Sequence, residues 1–416
     1  MVNIAVLGYG VVGSGVVEVI KKNRHSIGTR AGEEIKVKKV LDIRDFTDCP
    51  DAELMTKDAE EVFKDDSISI LVETIGGTKF AYDFTRRALS SGKSVVTSNK
   101  ELVATHGPEL LKMARDNNVS YLFEASVGGG IPIVRPLNQC LAANEIIGIA
   151  GILNGTTNYI LTSMRKEGKD FGEALKDAQE KGYAEADPSS DIDGVDACRK
   201  IAILSSISYN EFVDANRIYT EGIREITLED MQYAKEMDSK IKLLAISRRY
   251  GENIFARVTP VIVNNSGQLA NVEGVFNAII VRGNAIGDAM FYGRGAGKLP
   301  TASAVVADVI DIVKHVESNS NNVWKIMNEN NIVNIDETES EFFVRLKVKN
   351  HEGAEKLVKS LIGDVEKVVL QMDFAKDEYA FKTDVITEKS FKGFIKKLNQ
   401  SDVIEKVANT IRFFEE

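Results

Sequence analysis

Acidic and basic residues are concentrated between positions 182 and 200, in the segment GYAEADPSSDIDGVDACRK. The ionisable side chains there are Glu185, Asp187, Asp191, Asp193, Asp196, Arg199 and Lys200. Asp196 and Lys200 are four residues apart in a predicted helix, so they share one face and can pair. The carboxylates around this proline-containing loop can hold a cation or an amine, such as the amine of an α-amino acid.

A purely structural role for this cluster is the alternative. In that interpretation Asp196 and Lys200 form a surface ion pair worth about 0.3–0.5 kcal/mol, and the other acids cap the helix N-terminus. So many carboxylates beside a buried helix are costly unless cations or amines occupy the loop. The spacing alone leaves both interpretations open.

A glycine turn near the N-terminus has the pattern Gly8-x-Gly10-x-x-Gly13, with Val11 and Val12 between the last two glycines. It follows a predicted strand and opens a predicted helix, which is the context of a dinucleotide-binding fingerprint. Gly8 permits the tight turn, Gly10 lets the backbone approach a pyrophosphate, and Gly13 lets helix and strand pack closely. The phosphates would bind at the helix N-terminus, where free N–H groups favour anions.

The residues that end the second predicted strand do not decide between NAD and NADP. Asp42 would favour NAD by accepting from the ribose 2′-hydroxyl, whereas Arg44 would favour NADP by contacting its extra phosphate. The two side chains lie on one strand face and can also neutralise each other. Cofactor preference therefore stays open.

A second glycine-rich segment, GRGAGK at residues 293–298, does not fit a P-loop. Only three residues separate Gly293 from Gly297, and Leu299 follows the lysine where Ser or Thr would hold Mg²⁺. We interpret the segment as a tight loop that returns the chain to the first domain.

Composition and charge argue against several classes of function. The formal net charge of −10 disfavours nucleic acid and anionic membranes as partners. No apolar run is long enough to span a membrane, and the N-terminus lacks the basic start and cleavage site of a signal peptide. Three scattered cysteines and four histidines argue against a disulfide framework or a zinc site. We therefore expect a cytoplasmic protein.

Alternating strand and helix patterns across the first 130 residues predict a parallel sheet with helices on both faces. The expected fold class is α/β, a Rossmann-like nucleotide-binding domain with an inserted α+β substrate and dimerisation domain. The C-terminal βαββαβ order predicts a ferredoxin-like domain. The expected divisions are 1–132 plus 298–317 for the nucleotide domain, 133–297 for the insertion, 318–340 for a linker and 341–416 for the last domain. Helices in the insertion are predicted at 171–182, 193–208 and 228–247.

Six motifs together resemble homoserine dehydrogenases, in the same order and over nearly the whole chain. The motifs are GYGVVGSGVV, SNKELV, FEASVGGGIPI, GILNGTTNYIL, GYAEADPSSDIDGVDACRK and GRGAGKLPTASAVVADV. Residues 341–416 resemble the ACT regulatory domain that many bacterial members carry. The resemblance implies NAD(P)-dependent interconversion of L-homoserine and L-aspartate 4-semialdehyde, a step toward threonine and methionine.

The resemblance also implies roles for individual residues. Lys200 would donate a proton to the developing alkoxide and be held by Asp196, while Lys100 would be a second proton-transfer or polarising group. Which lysine transfers the proton stays open. The substrate would contact Glu185, Asp191, Tyr183, Gly155 and Thr156, the first two through its amino group. The cofactor would contact Gly8, Gly10, Val11, Val12, Gly13, Arg44, Thr74, Gly76, Ser98, Lys100 and Gly297.

A monovalent cation, usually sodium, is a further implication of the resemblance. Its expected ligands are carbonyl oxygens and one carboxylate, supplied by Glu124, Val127, Gly129 and Ile131. The glycines at 128–130 would serve equally well as a hinge between domains.

The last domain departs from the ACT pattern at its first strand-to-helix turn. Ligand-binding ACT domains carry an Asp-x-Pro-Gly type sequence there, whereas this chain has KNHEGAEKL, with Gly353 and His351 but no proline. A bound amino-acid effector therefore does not follow from the sequence, and a structural or dimer-forming role is an equal alternative. The resemblance also implies a homodimer or a higher homo-oligomer.

Two other functions are alternatives. A phosphorylating semialdehyde dehydrogenase needs a catalytic cysteine beside a histidine, and neither Cys140 nor Cys198 has a histidine in its segment. The other alternative is a nucleotide-sensing regulatory protein without turnover. Intact Lys100, Asp196 and Lys200 disfavour it.

Overall fold

The structure is a computed structural model that describes residues 1–46, 48–315, 323–327 and 331–414. The chain divides into two compact units, here called the first and the second unit. The first unit comprises Met1–Ile149, Arg199–Arg217 and Ile279–Glu329, and the second comprises Ala150–Cys198, Ile218–Ala278 and Asn330–Glu416. These units differ in their bounds from the domain divisions expected from the sequence, which stay predictions.

The N-terminal part of the chain alternates strands and helices. Its elements are β1 (Val2–Leu7), α1 (Val11–Lys22), α2 (Arg24–Ala31), β2 (Ile35–Leu41), β3 (Met55–Thr56), α3 (Glu60–Phe63), β4 (Ile68–Glu73), α4 (Lys79–Ser90), β5 (Ser94–Thr97), α5 (Lys100–Asp116), β6 (Tyr121–Leu122) and β7 (Ile146–Ile152). The first six strands form a sheet in the order β3-β2-β1-β4-β5-β6, and every pair in it is parallel. This is the strand order of a dinucleotide-binding fold, so the predicted parallel sheet is confirmed.

The middle of the chain mixes helices and long strands. Its elements are α6 (Gly155–Glu167), α7 (Phe171–Glu180), α8 (Ser189–Ile192), α9 (Val195–Tyr209), β8 (Tyr219–Thr220), α10 (Leu228–Glu236), β9 (Ser239–Tyr250), β10 (Asn253–Asn264), β11 (Phe276–Gly283), β12 (Gly287–Arg294) and α11 (Lys298–Lys314). The apolar stripe of α11 joins the core of the first unit, where Val305 and Val309 are fully buried with Val16 of α1 and Val6 of β1. The loop before α11 thus returns the chain to the nucleotide-binding sheet, as predicted.

The helix predicted at 228–247 is wrong beyond residue 236. The chain leaves α10, turns at Asp238 with a positive φ of 47°, and continues as β9. β9 pairs antiparallel with β10 along its whole length, from Ser239 opposite Asn264 to Tyr250 opposite Asn253. A buried apolar run suits a helix or a strand equally, and this long-range pairing selects the strand.

The C-terminal part contains the predicted βαββαβ order and two additional short strands, which pair with each other. Its elements are β13 (Glu339–Ser340), β14 (Phe342–Val348), α12 (His351–Ile362), β15 (Glu366–Val368), β16 (Glu378–Lys382), β17 (Ile386–Thr387), α13 (Glu388–Asn399) and β18 (Ile404–Phe413). Strands β18-β14-β16-β15 lie side by side, all antiparallel, which is the arrangement of a ferredoxin-like sheet. In the same unit, β18 also pairs in parallel with β10 at Val261–Arg412 and Ile262–Phe413.

The linker predicted at 318–340 lies partly outside the described residues, at 318–322 and 328–330. Of the part that is described, Trp324 is buried in the first unit and Ile332 in the second. Within the described ranges, no helix is both long enough and apolar enough to cross a membrane.

Candidate active site

The glycine turn lies between β1 and α1 and has the tight geometry that its sequence predicts. Gly8 has a φ of 93°, and a Cβ there would lie 2.9 Å from the carbonyl oxygen of Thr74. A Cβ on Gly13 would lie 1.9 Å from the carbonyl oxygen of Gly8, so neither position tolerates a side chain. Thr74 closes the turn from β4, because its hydroxyl donates to the carbonyls of Leu7 and Gly8 over 3.0 and 2.9 Å.

The N-terminus of α1 is suited to hold an anion. Gly10 is its N-cap, no side chain caps the helix, and its first turn carries no acidic residue. A Cβ on Gly10 would meet no atom within 4 Å, and Val11 is 67% exposed, so the space in front of the turn is open. Backbone N–H groups of the first helical turn have no partner within a helix. The residues therefore fit the pyrophosphate of a dinucleotide.

Asp42 and Arg44 form the mutual pair that the sequence left as one alternative. The Asp42 carboxylate accepts from Arg44 Nε over 3.0 Å and from Arg44 Nη2 over 2.8 Å. It also accepts from the backbone N–H of Tyr9 over 2.7 Å, which ties the end of β2 to the glycine turn. The hydrogen bonds from the Arg44 side chain hold the pKa of Asp42 well below its usual range. Arg44 itself is exposed and lies 5.0 Å from the ring centroid of Phe46.

The loops after β4 and β5 are joined by Asn99, which sequence reasoning missed. Asn99 is the N-cap of α5: its side-chain oxygen accepts from Leu102 N over 3.0 Å. Its Nδ2 donates to the carbonyls of Ile75 and Gly77 over 3.2 and 2.7 Å, beside the predicted cofactor contact Gly76. This cap starts α5 at Lys100. Ser98 and Lys100 therefore flank a capped helix start at the carboxyl end of the sheet.

A buried carboxyl group, Glu73, ends β4 directly before Thr74. It is fully buried; its carboxylate accepts from Ile75 N over 2.6 Å and from the Thr97 hydroxyl over 2.5 Å. Burial raises the pKa of Glu73 to about 7. No motif in the sequence indicated this group, because its apolar strand resembles any other buried strand.

The two predicted catalytic lysines are chain neighbours of an ion pair: Lys100 precedes one partner and Lys200 follows the other. Arg199 Nη2 contacts Glu101 Oε1 over 3.0 Å within the first unit. Lys100 is the first residue of α5 and Lys200 lies on α9, each next in the chain to one partner of this pair. Lys200 is 7% exposed, so its ammonium group is largely shielded from solvent.

The five carboxylates between residues 185 and 196, four before α9 and one in its first turn, separate into two groups. Asp193 pairs with Arg224, which lowers its pKa, and Asp187 accepts from Ser189 N over 3.1 Å. These two carboxylates therefore stabilise the local fold of the loop. The remaining three are the predicted functional residues Glu185, Asp191 and Asp196.

Asn154 connects two of those three carboxylates and was not predicted. Its Nδ2 donates to Asp191 Oδ1 over 2.7 Å and to Asp196 Oδ2 over 2.9 Å. Its Oδ1 accepts from Thr157 N, which makes Asn154 the N-cap of α6. The only signal in the sequence is the asparagine within the motif GILNGTTNYIL. The side chain of Glu185 is exposed.

The other predicted substrate contacts line the start of α6. The Thr156 hydroxyl donates to the carbonyl of Tyr183 over 2.7 Å, which brings these two residues together. A Cβ on Gly155 would lie 2.7 Å from the Val275 carbonyl oxygen, so the backbone passes closely there. Tyr183 is exposed and lies 4.9 Å from Tyr159, ring centroid to ring centroid.

The carboxylate of Glu124, a predicted cation ligand, accepts three backbone hydrogen bonds. Glu124 Oε1 accepts from the N–H groups of Ile133 and Val134 over 2.6 and 2.8 Å, and Oε2 accepts from Arg135 N over 2.8 Å. The carboxylate therefore anchors the following chain. The cation site at Glu124, Val127, Gly129 and Ile131 stays a prediction. In the described part of the chain, no group of three or more His, Cys, Asp and Glu side chains could hold a metal ion.

The return loop before α11 packs against the glycine run and α1. Gly297, a predicted cofactor contact, is the N-cap of α11 and has a φ of 121°. A Cβ on Gly129 would lie 2.3 Å from the carbonyl oxygen of Gly295, and Gly130 N donates to Arg294 O over 3.2 Å. The backbone of this loop therefore lies close to that of Gly129 and Gly130, within the first unit.

Comparison with known proteins connects both units to one family. Residues 132–310 match the family model described as "Homoserine dehydrogenase", and residues 8–124 match "Homoserine dehydrogenase, NAD binding domain". The homoserine dehydrogenase of Neisseria gonorrhoeae is 38% identical, over 99% of this chain and 98% of that protein. The homoserine dehydrogenase of Bacillus subtilis is 36% identical, with the same coverage of both chains.

Solved structures agree with this assignment. A crystal structure of a homoserine dehydrogenase from Thiobacillus denitrificans matches with a TM-score of 0.90 at 35% identity, over 100% of this chain and 98% of that one. A hyperthermophilic archaeal homoserine dehydrogenase mutant in complex with NADPH matches with a TM-score of 0.65 at 31% identity, over 76% of this chain and 99% of that one. The family, the fold class and the NAD(P)-binding domain predicted from the sequence are thereby confirmed. The chain belongs to the homoserine dehydrogenase family.

Proposed function

We propose that Lys200, Asp196, Lys100 and the carboxylates before α9 carry out the reaction of this family. As a homoserine dehydrogenase, the chain is an NAD(P)-dependent oxidoreductase that interconverts L-homoserine and L-aspartate 4-semialdehyde. The observation that carries the residue assignment is the side-chain amide of Asn154, which donates to both Asp191 and Asp196. It holds two carboxylates of the loop together while Asp187 and Asp193 are engaged elsewhere.

The proton step is assigned to Lys200. When bound, the nicotinamide supplies the hydride to the aldehyde carbon or accepts it from the alcohol carbon. In the reducing direction the carbonyl oxygen gains negative charge, and the Lys200 ammonium stabilises that charge and donates a proton to the oxygen. In the oxidising direction the neutral amine accepts the hydroxyl proton. Asp196, one helical turn before Lys200 on α9, orients it.

Substrate recognition is assigned to Glu185 and Asp191. Each substrate carries an α-ammonium group, which carboxylates can bind by charge-assisted hydrogen bonds. Tyr183, Gly155 and Thr156 complete the proposed pocket. Lys100 is proposed as a second polarising group on the nicotinamide side.

The cofactor is proposed to be NADP or NAD. The α1 N-terminus and the open space before Gly10 support pyrophosphate binding, and Arg44 supports contact with a 2′-phosphate. The archaeal relative in complex with NADPH is consistent with this assignment. A sodium ion is also proposed, with Glu124, Val127, Gly129 and Ile131 supplying its oxygen ligands.

Residues 341–416 are proposed as an ACT-like regulatory domain. The antiparallel order β18-β14-β16-β15 supports this, and a cavity of about 240 Å³ lies beside β15 and β16.

A homo-oligomer is also proposed, because β12 exposes Met290 and Tyr292. Cys49, Cys140 and Cys198 form no disulfide, which suits the proposed cytoplasmic location.

The assignment is tested by comparing two alcohols that differ only in the amino group. The purified chain should oxidise L-homoserine with NADP⁺ or NAD⁺, and 4-hydroxybutyrate should react at least about 100-fold more slowly in kcat/KM. Asp191→Asn should raise the KM for L-homoserine and leave the KM for the cofactor unchanged. Equal rates for both alcohols would contradict the assignment of the carboxylates.

A further inference from the structure

A short segment of the second unit packs on the loop that carries Asp191. We call residues 219–224 the brace and residues 185–194 the substrate loop. The backbone N–H of Ile223 donates to the carbonyl of Ile192 over 2.8 Å. A Cβ on Gly222 would lie 2.2 Å from that same carbonyl oxygen, so the two backbones touch. The contact is one that only glycine permits at position 222.

The brace also binds the substrate loop through hydrogen bonds from Arg224. Its guanidinium forms two hydrogen bonds with the carboxylate of Asp193, one of them over 2.8 Å, and Nη2 reaches the Ser189 hydroxyl over 3.3 Å. Ser189 and Asp193 lie on either side of Asp191. Bidentate arginine–carboxylate pairs fix geometry as well as distance, so Arg224 sets the path of the turn that presents Asp191.

The other side of the brace is held by the C-terminal part of the chain. Arg412 of β18 donates from Nη1 to Glu221 Oε2 over 2.8 Å. Arg412 is 6% exposed, and its remaining nitrogens contact the buried Glu388 over 2.5 and 3.0 Å. Glu221 N donates to Val258 O over 2.8 Å, so the brace is also fixed to β10. The ferredoxin-like sheet is thereby connected to the substrate loop by contacts within one unit.

We infer that Glu221 is a positioning residue, which transmits the position of β18 through the brace to the substrate loop. The inference rests on the proposed function, since it assigns the loop to substrate binding. The ion pair with Arg412 fixes Glu221, the brace backbone fixes Ile192, and Arg224 fixes Asp193. A movement of β18 therefore shifts the position of Asp191 and leaves the glycine turn in place.

The test uses Glu221→Gln, with Glu341→Gln as the matched control. Glu221→Gln leaves Arg412 paired with Glu388, so no buried arginine loses all its partners. Glu341 forms a 2.8 Å ion pair with Lys382 on the same sheet, and both side chains are about one quarter exposed. Its backbone carbonyl, not its side chain, accepts from Phe413 N. The control thus removes an ion pair of the C-terminal part that does not reach the brace.

For Glu221→Gln, the KM for L-homoserine should rise about fivefold, while kcat and the KM for NADP⁺ stay within twofold. Hydrogen exchange at the backbone N–H groups of Asp193 and Gly194, which bond to Ser189 and Asp191, should be faster. Glu341→Gln should change none of these quantities. Glu221→Asp should have a KM for L-homoserine between that of Glu221→Gln and that of wild type.

Unchanged KM and exchange in Glu221→Gln would overturn the inference, as would an equal effect of Glu341→Gln. A fall of kcat, both KM values and thermal stability together would show general destabilisation and would also overturn it. If the wild-type chain failed to oxidise L-homoserine, the proposed function would fall, and the exchange data would still decide the positioning role.

Discussion

Asn154 donates a hydrogen bond to Asp196 over 2.9 Å, across 42 residues of chain, from the side chain that also caps helix α6. The same nitrogen donates to Asp191, so one neutral amide holds two buried or half-buried carboxylates at a common point. Two carboxylates this close repel each other unless donors lie between them. The amide therefore stabilises the position of Asp196, the residue proposed to orient Lys200.

Replacing Asn154 by Asp should remove this donor and keep the helix cap, because Asp caps helices as well as Asn does. A third carboxylate beside Asp191 and Asp196 is expected to cost about 1–3 kcal/mol of stability at pH 8. The KM for L-homoserine should rise at least about tenfold. Thermal unfolding and steady-state kinetics measure both effects.

Asn350→Asp provides the matched control. Asn350 caps α12 in the same way, accepting from Gly353 N over 2.8 Å. Its replacement should leave kinetics unchanged and stability within about 0.5 kcal/mol. If Asn154→Asp behaved like this control, the bridging role of Asn154 would be refuted.

The glycine turn predicts different outcomes for two neighbouring substitutions. Gly13→Ala should destabilise the fold, because its Cβ would lie 1.9 Å from the Gly8 carbonyl oxygen. Gly10→Ala meets no protein atom within 4 Å, so the melting temperature should stay the same while the Kd for NADPH rises. Fluorescence titration with NADPH and thermal melts separate the two. A Gly10→Ala variant with wild-type affinity would exclude pyrophosphate binding at this turn.

The control for these substitutions is Gly28→Ala in α2. A Cβ there would have no atom closer than 3.7 Å. Alanine is the better helix former, so stability should stay equal or rise by up to about 1 kcal/mol, with no change in NADPH affinity.

Arg44→Gln should change the preference between the two nucleotides. The variant frees the Asp42 carboxylate from its ion pair and removes a positive charge that can bind a 2′-phosphate. We expect the ratio of kcat/KM for NADP⁺ to that for NAD⁺ to fall at least about tenfold. A ratio that does not change would show that the end of β2 lies away from the ribose.

Glu73 predicts a specific dependence of stability on pH. Burial raises its pKa from an ordinary value of 4.5 to about 7, so the folded chain binds this proton more tightly than the unfolded chain. Its contribution to the free energy of unfolding is present below pH 4.5 and is lost as the pH rises through about 7. Glu73→Gln cannot titrate and should therefore lack this loss.

Urea unfolding at pH 5.5 and pH 8 measures the effect. The free energy of unfolding of Glu73→Gln, relative to that of wild type, should be higher at pH 8 than at pH 5.5 by on the order of 2 kcal/mol. Glu60→Gln is the control, because the Arg87 side chain lowers the pKa of Glu60 to about 2, below the measured range. A wild-type pH profile in Glu73→Gln would mean that Glu73 is ionised throughout.

The sequence predicted the elements whose signal is local. Strands β1, β4 and β5 are mostly apolar because a parallel sheet covered on both faces buries most of their residues. The turn was equally predictable, since only glycine fits the φ of Gly8 and the close contact at Gly13, and Gly10 leaves the space before the helix open.

The elements that depend on distant residues could not be predicted in this way. β9 contains an apolar run that also suits a helix, and only its pairing with β10 decides the outcome. Asn154 could be placed as a helix cap, yet its contacts with Asp191 and Asp196 join residues 37 and 42 positions apart. Likewise, no local pattern indicates that the Glu124 carboxylate accepts from three backbone N–H groups of residues 133–135.

Lys200→Ala tests the central assignment most directly, with Lys93→Ala as its control. Lys93 is another buried lysine of the first unit, whose ammonium donates to the carbonyls of Asp65 and Ile68. The measurement is NADPH consumption with L-aspartate 4-semialdehyde, together with NADPH binding followed by fluorescence. Lys200→Ala should lose about 100-fold or more in kcat and still bind NADPH within about twofold of wild type, whereas Lys93→Ala keeps its kcat. A Lys200→Ala variant that retains wild-type kcat would contradict the assignment of the proton step.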